Sequence, residues 1–500
     1  MKIENFPQHV RDHIIPKISG RMVYRCLGCD SEFDSDRLLY TCPDCGSVLL
    51  LQNKNEDAVM GLGGEKWRDI FDYRRMFNNR AVKGIFRYYE FIAPILPLDR
   101  IIYLGEGHTP LVEANSRLKE LVGIDFFFKN DGLNPSASFK DRGMACALSY
   151  LNYIAKKEKT SDILAICAST GDTSASAALY ASYLGDFIKS AVLLPKGKVT
   201  PQQLSQPLGS GAKVLEIPGV FDDSMKVVES LSEKYKVALL NSKNSWRILG
   251  QESFSYEIAQ DFDYEVDDKA VVLPIGNAGN ITAVMSGFIK FFRAGVIKSL
   301  PKIIGVQSSH ADPVYRYYLE KDPSKRKFVP VGVSPSVAQA AMIGNPVSMP
   351  RVIRLADDYN RLAGIKKVFF CQVSEQEIMD SMIMANRNGN IACTQGGESL
   401  AGLIKAVENG YVDKAEIGVV DSTAHILKFS VFQDMYFENS FDPSFEVKPK
   451  ARFTNRPLEV KPVSVTKLPA PGRPLGKKDM DRFVTAMTEE IAAILDLKQK

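Results

Sequence analysis

The sequence predicts an α/β protein built on mostly parallel sheets, with a small metal-binding ribbon ahead of it. Three observations carry that expectation. From Ile124 to Val420, short strand-like apolar runs alternate with longer helix-periodic ones, the pattern of strand–helix units that feed a parallel sheet. Loops rich in Gly, Ser, Thr and Asn follow several of those strands, which is where open α/β sheets place their ligand sites. Near the N-terminus two Cys-x-x-Cys pairs stand twelve residues apart, close to zinc-ribbon spacing.

Composition narrows the function classes. At 500 residues, 45% apolar and 24% charged, the chain has an ordinary globular make-up, with room for about two to four domains. Its 63 basic and 59 acidic residues, net +4, give no reason to expect a nucleic-acid or membrane partner. No apolar run reaches the roughly 18 residues of a membrane span, and no signal-peptide pattern opens the chain. Eight cysteines, four clustered and four single, do not make a secreted disulfide framework and suit a reducing cytoplasm.

Residues 1–55 form an N-terminal segment with the ribbon. Cys26-Leu27-Gly28-Cys29 and Cys42-Pro43-Asp44-Cys45 each set two thiols on a tight knuckle, with Gly and Pro-Asp suited to the turn. Together the four sulfurs fit a tetrahedral structural zinc; the alternative is a ribbon that packs its thiols as small apolar groups. Residues 56–103 read as short connecting helices, and 104–445 as the main body, with a smaller subdomain at about 141–240. In the Gly105-Glu106-Gly107-His108-Thr109-Pro110 loop, His108 fits a satisfied loop histidine better than a catalyst. Beyond 445 a Pro- and Lys-rich coil leads to an amphipathic helix over Asp479 to Leu497. Packing on the body and an oligomer interface are both open for it.

Expected strands are Asp125 to Lys129, Ile163 to Cys167, Ala191 to Leu194, Lys213 to Ile217, Val237 to Leu240, Ala270 to Ile275, Lys302 to Val306, Lys367 to Gln372 and Ile417 to Val420. Lys140, in Ser138-Phe139-Lys140-Asp141-Arg142-Gly143, falls at the start of a helix-periodic segment. There the helix dipole disfavours a second positive charge and lowers an amine's pKa. A Schiff-base lysine needs that, since only the neutral amine attacks an aldehyde. Taken alone, Lys140 reads as a surface lysine capping a loop; three downstream motifs change the balance. Ser169-Thr170-Gly171-Asp172-Thr173 offers hydroxyls and free N–H groups at a helix start, suited to a carboxylate. Gly276-Asn277-Ala278-Gly279-Asn280 is a turn in which backbone can close on a phosphate. Asp421-Ser422-Thr423-Ala424-His425 ends the last strand with a hydroxyl pair placed to meet a ring nitrogen or backbone.

In order and wording these motifs resemble the threonine synthase family, pyridoxal-phosphate enzymes of the tryptophan-synthase-β-like, two-domain fold type II, over about Gly105 to Phe429. The resemblance implies that Lys140 forms the internal aldimine and that Gly276, Asn277, Ala278, Gly279 and Asn280 hold the cofactor phosphate. It implies that Thr423 faces the pyridine nitrogen and that Asp172 stands where many relatives carry an Asn facing the phenolic oxygen. Ser169, Thr170 and Thr173 become substrate contacts. The Asn241-Ser242-Lys243-Asn244-Ser245-Trp246-Arg247 stretch is similar to the family's substrate-phosphate pocket, so Asn241, Ser242 and Arg247 are expected to bind substrate; Arg is suited to planar, bidentate phosphate recognition. The chain departs from the family's Thr-Gly-His-like wording at Ala424. The implied activity converts O-phospho-L-homoserine and water to L-threonine and phosphate. A serine or threonine dehydratase or cysteine synthase of the same fold is the alternative, and an inactive zinc-ribbon binding protein a more distant one. A small phosphorylated amino acid is the expected partner, and a homodimer is open.

Overall fold

The computed structural model describes residues 2–160, 163–169, 171–185, 188–196, 201–218, 221–461, 472–473 and 475–498. The chain divides into two compact units, Met1–Lys448 and Pro449–Lys500. The second unit holds a short 3-10 turn at Ala451–Phe453 and the helix Lys477–Ile494. Of the expected coil from Val447 to Lys478, residues 462–471 and 474 lie outside the described residues. No helix among the described residues is long and apolar enough to cross a membrane.

The first unit opens with the ribbon: β1 (Met22–Cys26) pairs antiparallel with β2 (Glu32–Asp34) and β3 (Leu49–Asn53), and Cys26 stands opposite Leu49 in the register. Short helices follow, as expected, including Glu56–Met60, Gly64–Arg75 and Tyr89–Ile92. Aromatic rings fasten them to the body: Phe71 stacks on Phe291 at 5.6 Å, and Tyr256 on the same Phe291 at 4.2 Å.

Ten further strands are described: β4 (Leu111–Glu113), β5 (Phe126–Lys129), β6 (Ile163–Ala168), β7 (Ile188–Pro195), β8 (Lys213–Ile217), β9 (Val237–Leu239), β10 (Lys269–Pro274), β11 (Lys302–Ser308), β12 (Val368–Val373) and β13 (Ile417–Asp421). They form two sheets. The larger runs β12-β11-β10-β13-β5-β4, parallel except for the edge strand β4; the smaller runs β8-β7-β6-β9, parallel throughout. β10 is buried at every position, as a strand covered on both faces must be.

Strand order positions the site. β10, β13 and β5 are neighbours at the centre of the larger sheet, so the loops leaving their carboxyl ends lie side by side. Those loops carry Gly276–Asn280, Asp421–Thr423 and the approach to Lys140. In the smaller sheet β6 and β9 are neighbours, which brings Ser169–Asp172 beside Asn241–Arg247. The helix of Lys140 (Lys140–Glu158) packs closely on the helix of Arg247 (Ser245–Gln251) because both faces carry glycine. A Cβ on Gly250 would stand 2.3 Å from the Arg142 carbonyl oxygen, a separation that no side chain survives.

Candidate active site

Lys140 is the first residue of its helix, and burial, with Arg247 nearby, pulls its amine down to about 8. Asp172 and Asp421 act in the opposite direction without overcoming burial. Lys140 has no ion-pair partner among the described residues, and its Nζ lies 4.1 Å from the centroid of the Phe139 ring. The approach loop is held by backbone bonds to the loop after β13. The Phe139 N–H donates to the Thr423 carbonyl at 2.8 Å, His425 N–H to Ala137 at 3.1 Å, and Gly132 N–H to Ser422 at 3.1 Å.

Below Lys140 lies a buried ion cluster. Arg142 donates to Asp131 at 2.7 Å and to Glu257 at 2.6 Å; Lys129 reaches Asp261 at 2.7 Å and Glu257 at 3.2 Å. Burial disfavours the Glu257 charge, but Arg142 and Lys129 overcome it and hold the carboxyl well below its usual range. His108 sits against this cluster with Nε2 3.0 Å from the Gly84 carbonyl oxygen, and burial pulls it down to about 3. It is a neutral loop histidine, as its sequence context suggested.

The Gly276–Asn280 loop turns at Ala278, which adopts the left-handed conformation (φ 60°) just before the helix Gly279–Arg293. A Cβ on Gly276 would stand 3.0 Å from the Ala341 Cα, so the loop passes against a neighbouring segment with no room to spare. The N–H groups of Gly276 to Gly279 have no backbone acceptor among the described residues. Backbone N–H groups converging at a helix start make an anion cradle. The Asn280 side chain turns elsewhere: its amide donates to Asp421 Oδ2 at 2.8 Å. Asp421 is fully buried and pushed well above the carboxylate range by burial and by Asp131, and its Oδ1 has no partner. Thr423 is buried beside it, its hydroxyl 3.5 Å from Cys393 Sγ.

From the smaller sheet, Asp172 opens the helix Asp172–Leu184 and faces Lys428 Nζ at 3.0 Å. Lys428 also donates to the Ser136 carbonyl and to Gln206 Oε1, both at 2.9 Å. Ser169 and Thr173 stand half-buried on either side of Gly171; Thr170 lies outside the described residues. The Asn241 side chain is spent on the strand end, with Nδ2 donating to the Ala168 carbonyl at 2.6 Å and Oδ1 accepting from the Ala168 N–H at 3.0 Å. Ser242 is half-buried. Arg247 is buried with no carboxylate partner among the described residues. Its Nη1 donates to the Leu240 carbonyl at 2.8 Å, its Nε is unpaired, and burial pulls it down to about 10. A buried guanidinium is costly without an anion.

Sequence reasoning missed several supports. Asn244 caps the Arg247 helix, its Oδ1 accepting from the Trp246 N–H at 2.9 Å; Ser/Asn before an apolar run was a readable cap signal. Lys428 and Arg351 gave no local signal, since their partners are distant in sequence.

The ribbon cysteines converge. The four Sγ atoms of Cys26, Cys29, Cys42 and Cys45 lie within 4.8 Å of one another, with Cys26–Cys45 at 3.4 Å and Cys29–Cys42 at 3.6 Å. A tetrahedron with about 2.3 Å metal–sulfur bonds has edges of about 3.8 Å. The N–H groups of Gly28 and Cys29 point at Cys26 Sγ at 3.2 and 3.4 Å, a polarity that favours thiolate. The set can hold a zinc-sized cation.

Residues 102–422 match the family of pyridoxal-phosphate dependent enzymes. The threonine synthase of Methanocaldococcus jannaschii is 35% identical over 408 residues, covering 81% of this chain and 93% of that protein. The chain belongs to the threonine synthase family. Threonine synthase 2, chloroplastic, of Arabidopsis thaliana is 32% identical over 457 residues, covering 90% of this chain and 84% of that protein. Among solved structures, threonine synthase from Escherichia coli superposes with a TM-score of 0.62 at 18% identity, covering 84% of this chain and 92% of that one. The shared fold is type II of the pyridoxal-phosphate enzymes, so threonine synthase chemistry is to be sought among Lys140, the Gly276–Asn280 cradle and Thr423. The residues fit the cofactor: a neutral-prone amine, a cradle with unspent N–H groups and a buried hydroxyl are carried by the segments that follow the neighbouring strands β5, β10 and β13.

Proposed function

We propose that this chain makes L-threonine and phosphate from O-phospho-L-homoserine and water, with residue roles as follows. Pyridoxal phosphate, when bound, supplies an aldehyde for amine capture and an electron sink for the substrate's carbanions. Lys140 would hold it, and its neutral amine would move protons at the substrate Cα and Cβ. Its lowered pKa leaves a useful fraction neutral near pH 8. The Gly276–Asn280 backbone takes the cofactor phosphate, with Asn280 bracing the loop through Asp421 rather than touching the anion. Thr423 offers the ring nitrogen a neutral hydroxyl, and Asp172 meets the phenolic oxygen with Lys428 balancing its charge. Ser169 and Thr173 receive the substrate carboxylate.

The observation that carries the reading is Arg247, buried next to Lys140 without a counter-ion among the described residues. A phosphate on the substrate's Cγ oxygen satisfies it; serine or threonine, the dehydratase substrates, bring no such charge. Ser242 adds a neutral hydrogen bond, and Asn241 fixes the strand end that presents both. Phosphate leaves Cγ while bound there, and water then adds at Cβ.

The four ribbon cysteines hold a structural zinc in this reading. None of the eight cysteines is in a disulfide, which supports a reducing compartment, the cytoplasm. The test is to incubate the purified yellow protein with O-phospho-L-homoserine and assay threonine and phosphate together. Equal amounts of both are expected. Oxoacid and ammonia from serine or threonine at a greater rate would overturn the assignment in favour of a dehydratase.

A further inference from the structure

The ribbon does not merely sit on the body; it is bonded to the elements that present Arg247. The junction is one side chain, Arg351, in the helix Met349–Ala363. It is fully buried, and its donors meet no carboxylate among the described residues. Nε and Nη2 both donate to the Leu49 carbonyl, at 3.1 and 2.6 Å. Nη1 donates to the Ser242 carbonyl at 2.9 Å and to Ser348 Oγ at 3.0 Å, and Nη2 to the Lys243 carbonyl at 3.1 Å. A lone buried guanidinium with only neutral acceptors is expensive to keep, so its geometry calls for an explanation beyond packing.

The carbonyl acceptors belong to two different parts of the machinery. Leu49 is the β3 residue opposite Cys26 of the thiol cluster. Ser242 and Lys243 form the loop that enters the Arg247 helix. The same Leu49 carbonyl accepts from Ser245 Oγ at 2.9 Å, and Trp246 donates through Nε1 to Tyr24 OH of β1 at 3.0 Å. Two successive residues just before Arg247 are therefore anchored on the ribbon, and Arg351 closes the triangle.

We propose that Arg351 is a positioning residue: it couples the ribbon to the 242–247 segment and so sets the geometry in which Arg247 receives the substrate's phosphate. This rests on the reading of Arg247 as the phosphate group's partner. A planar fork with five donors can bridge three segments at once, which a lysine or an apolar side chain cannot do.

The test compares Arg351→Met, Arg351→Lys and Ser245→Ala with the wild-type holoenzyme. It measures KM and kcat for O-phospho-L-homoserine, calorimetric binding of inorganic phosphate, and cofactor absorbance. Arg351→Met is expected to raise KM and weaken phosphate binding at least tenfold, with kcat and absorbance within about twofold; Arg351→Lys should recover part of the loss. Unchanged KM and phosphate affinity overturn the proposal, and so does a parallel fall in kcat, absorbance and affinity, which marks a general structural role. If Arg351→Met does not fold, Ser245→Ala decides: a several-fold weaker phosphate affinity upholds the coupling and an unchanged one refutes it. A wild-type enzyme that binds no phosphate and ignores the substrate refutes the reading of Arg247 itself, and this proposal with it. Intact wild-type affinity with indifferent variants refutes only Arg351.

Discussion

The Phe139 amide donates to the Thr423 carbonyl at 2.8 Å, so the residue before Lys140 is tied to the residue proposed to face the cofactor ring. Two loops that are nearly three hundred positions apart are thereby fixed as one surface. Lys140→Ala should leave this backbone bond and the fold intact, while the yellow absorbance and nearly all turnover disappear. Retention of colour and activity would mean that another lysine serves.

Because burial pulls the Lys140 amine to about 8, cofactor capture has a defined pH dependence. The neutral amine is the reactive form. The rate at which the cofactor-free protein takes up pyridoxal phosphate should therefore rise with pH up to about 8 and then level off. A rise that continues toward the ordinary lysine value of 10.5 would contradict the lowered pKa.

Arg247→Leu tests substrate choice. Loss of a charged donor to a dianion should cost about 2–4 kcal/mol of transition-state stabilisation, on the order of 30- to 1000-fold in kcat/KM. The loss should appear with O-phospho-L-homoserine and barely with serine as a slow alternative substrate. An equal loss on both would assign Arg247 to the fold.

The thiol cluster predicts about one zinc per chain by elemental analysis, because folding of such small modules is coupled to metal binding. Cys26→Ser should lose the metal and lower the melting temperature. A metal-free native protein with an intact ribbon would refute the assignment.

Glu257 ties stability to pH. Its carboxyl is held well below the usual 4.5 by Arg142 and Lys129 against the pull of burial, so its stabilising effect is complete above about 4.5 and is lost as pH falls toward the depressed value. Removing one member of a buried pair typically costs about 3–5 kcal/mol. Glu257→Gln should cost that much at neutral pH and flatten the fall of the urea midpoint on acidification.

Much of this arrangement could be read from the sequence. Lys213–Ile217 is a strand as expected, and the others from Ile163 to Asp421 shift by only a few residues, because β-branched runs bounded by Gly and Asn carry their own signal. The Gly276–Asn280 turn and the hydroxyls after β6 and β13 were legible for the same reason: each is a local motif at a strand end. Side-chain partners across the chain were not. Nothing near Asn280 in sequence points to Asp421 as the partner of its amide. Nor does anything near Asn241 point to Ala168, which both ends of its amide meet. Lys428 and Arg351 lie among ordinary surface-like residues in the text, and only the tertiary fold half-buries the first and buries the second.

The bonds that seat the ribbon, from Arg351 and Ser245 to Leu49 and from Trp246 to Tyr24, use carbonyl and hydroxyl acceptors only. None of these acceptors titrates in acid, whereas the Glu257 carboxylate beside Arg142 does, though only well below the usual carboxylate range. Acid thus strikes the two joints unequally. Acid strong enough to protonate Glu257 weakens the ion cluster around Arg142 and leaves the hydrogen bonds from Arg351, Ser245 and Trp246 to the ribbon without a group to titrate.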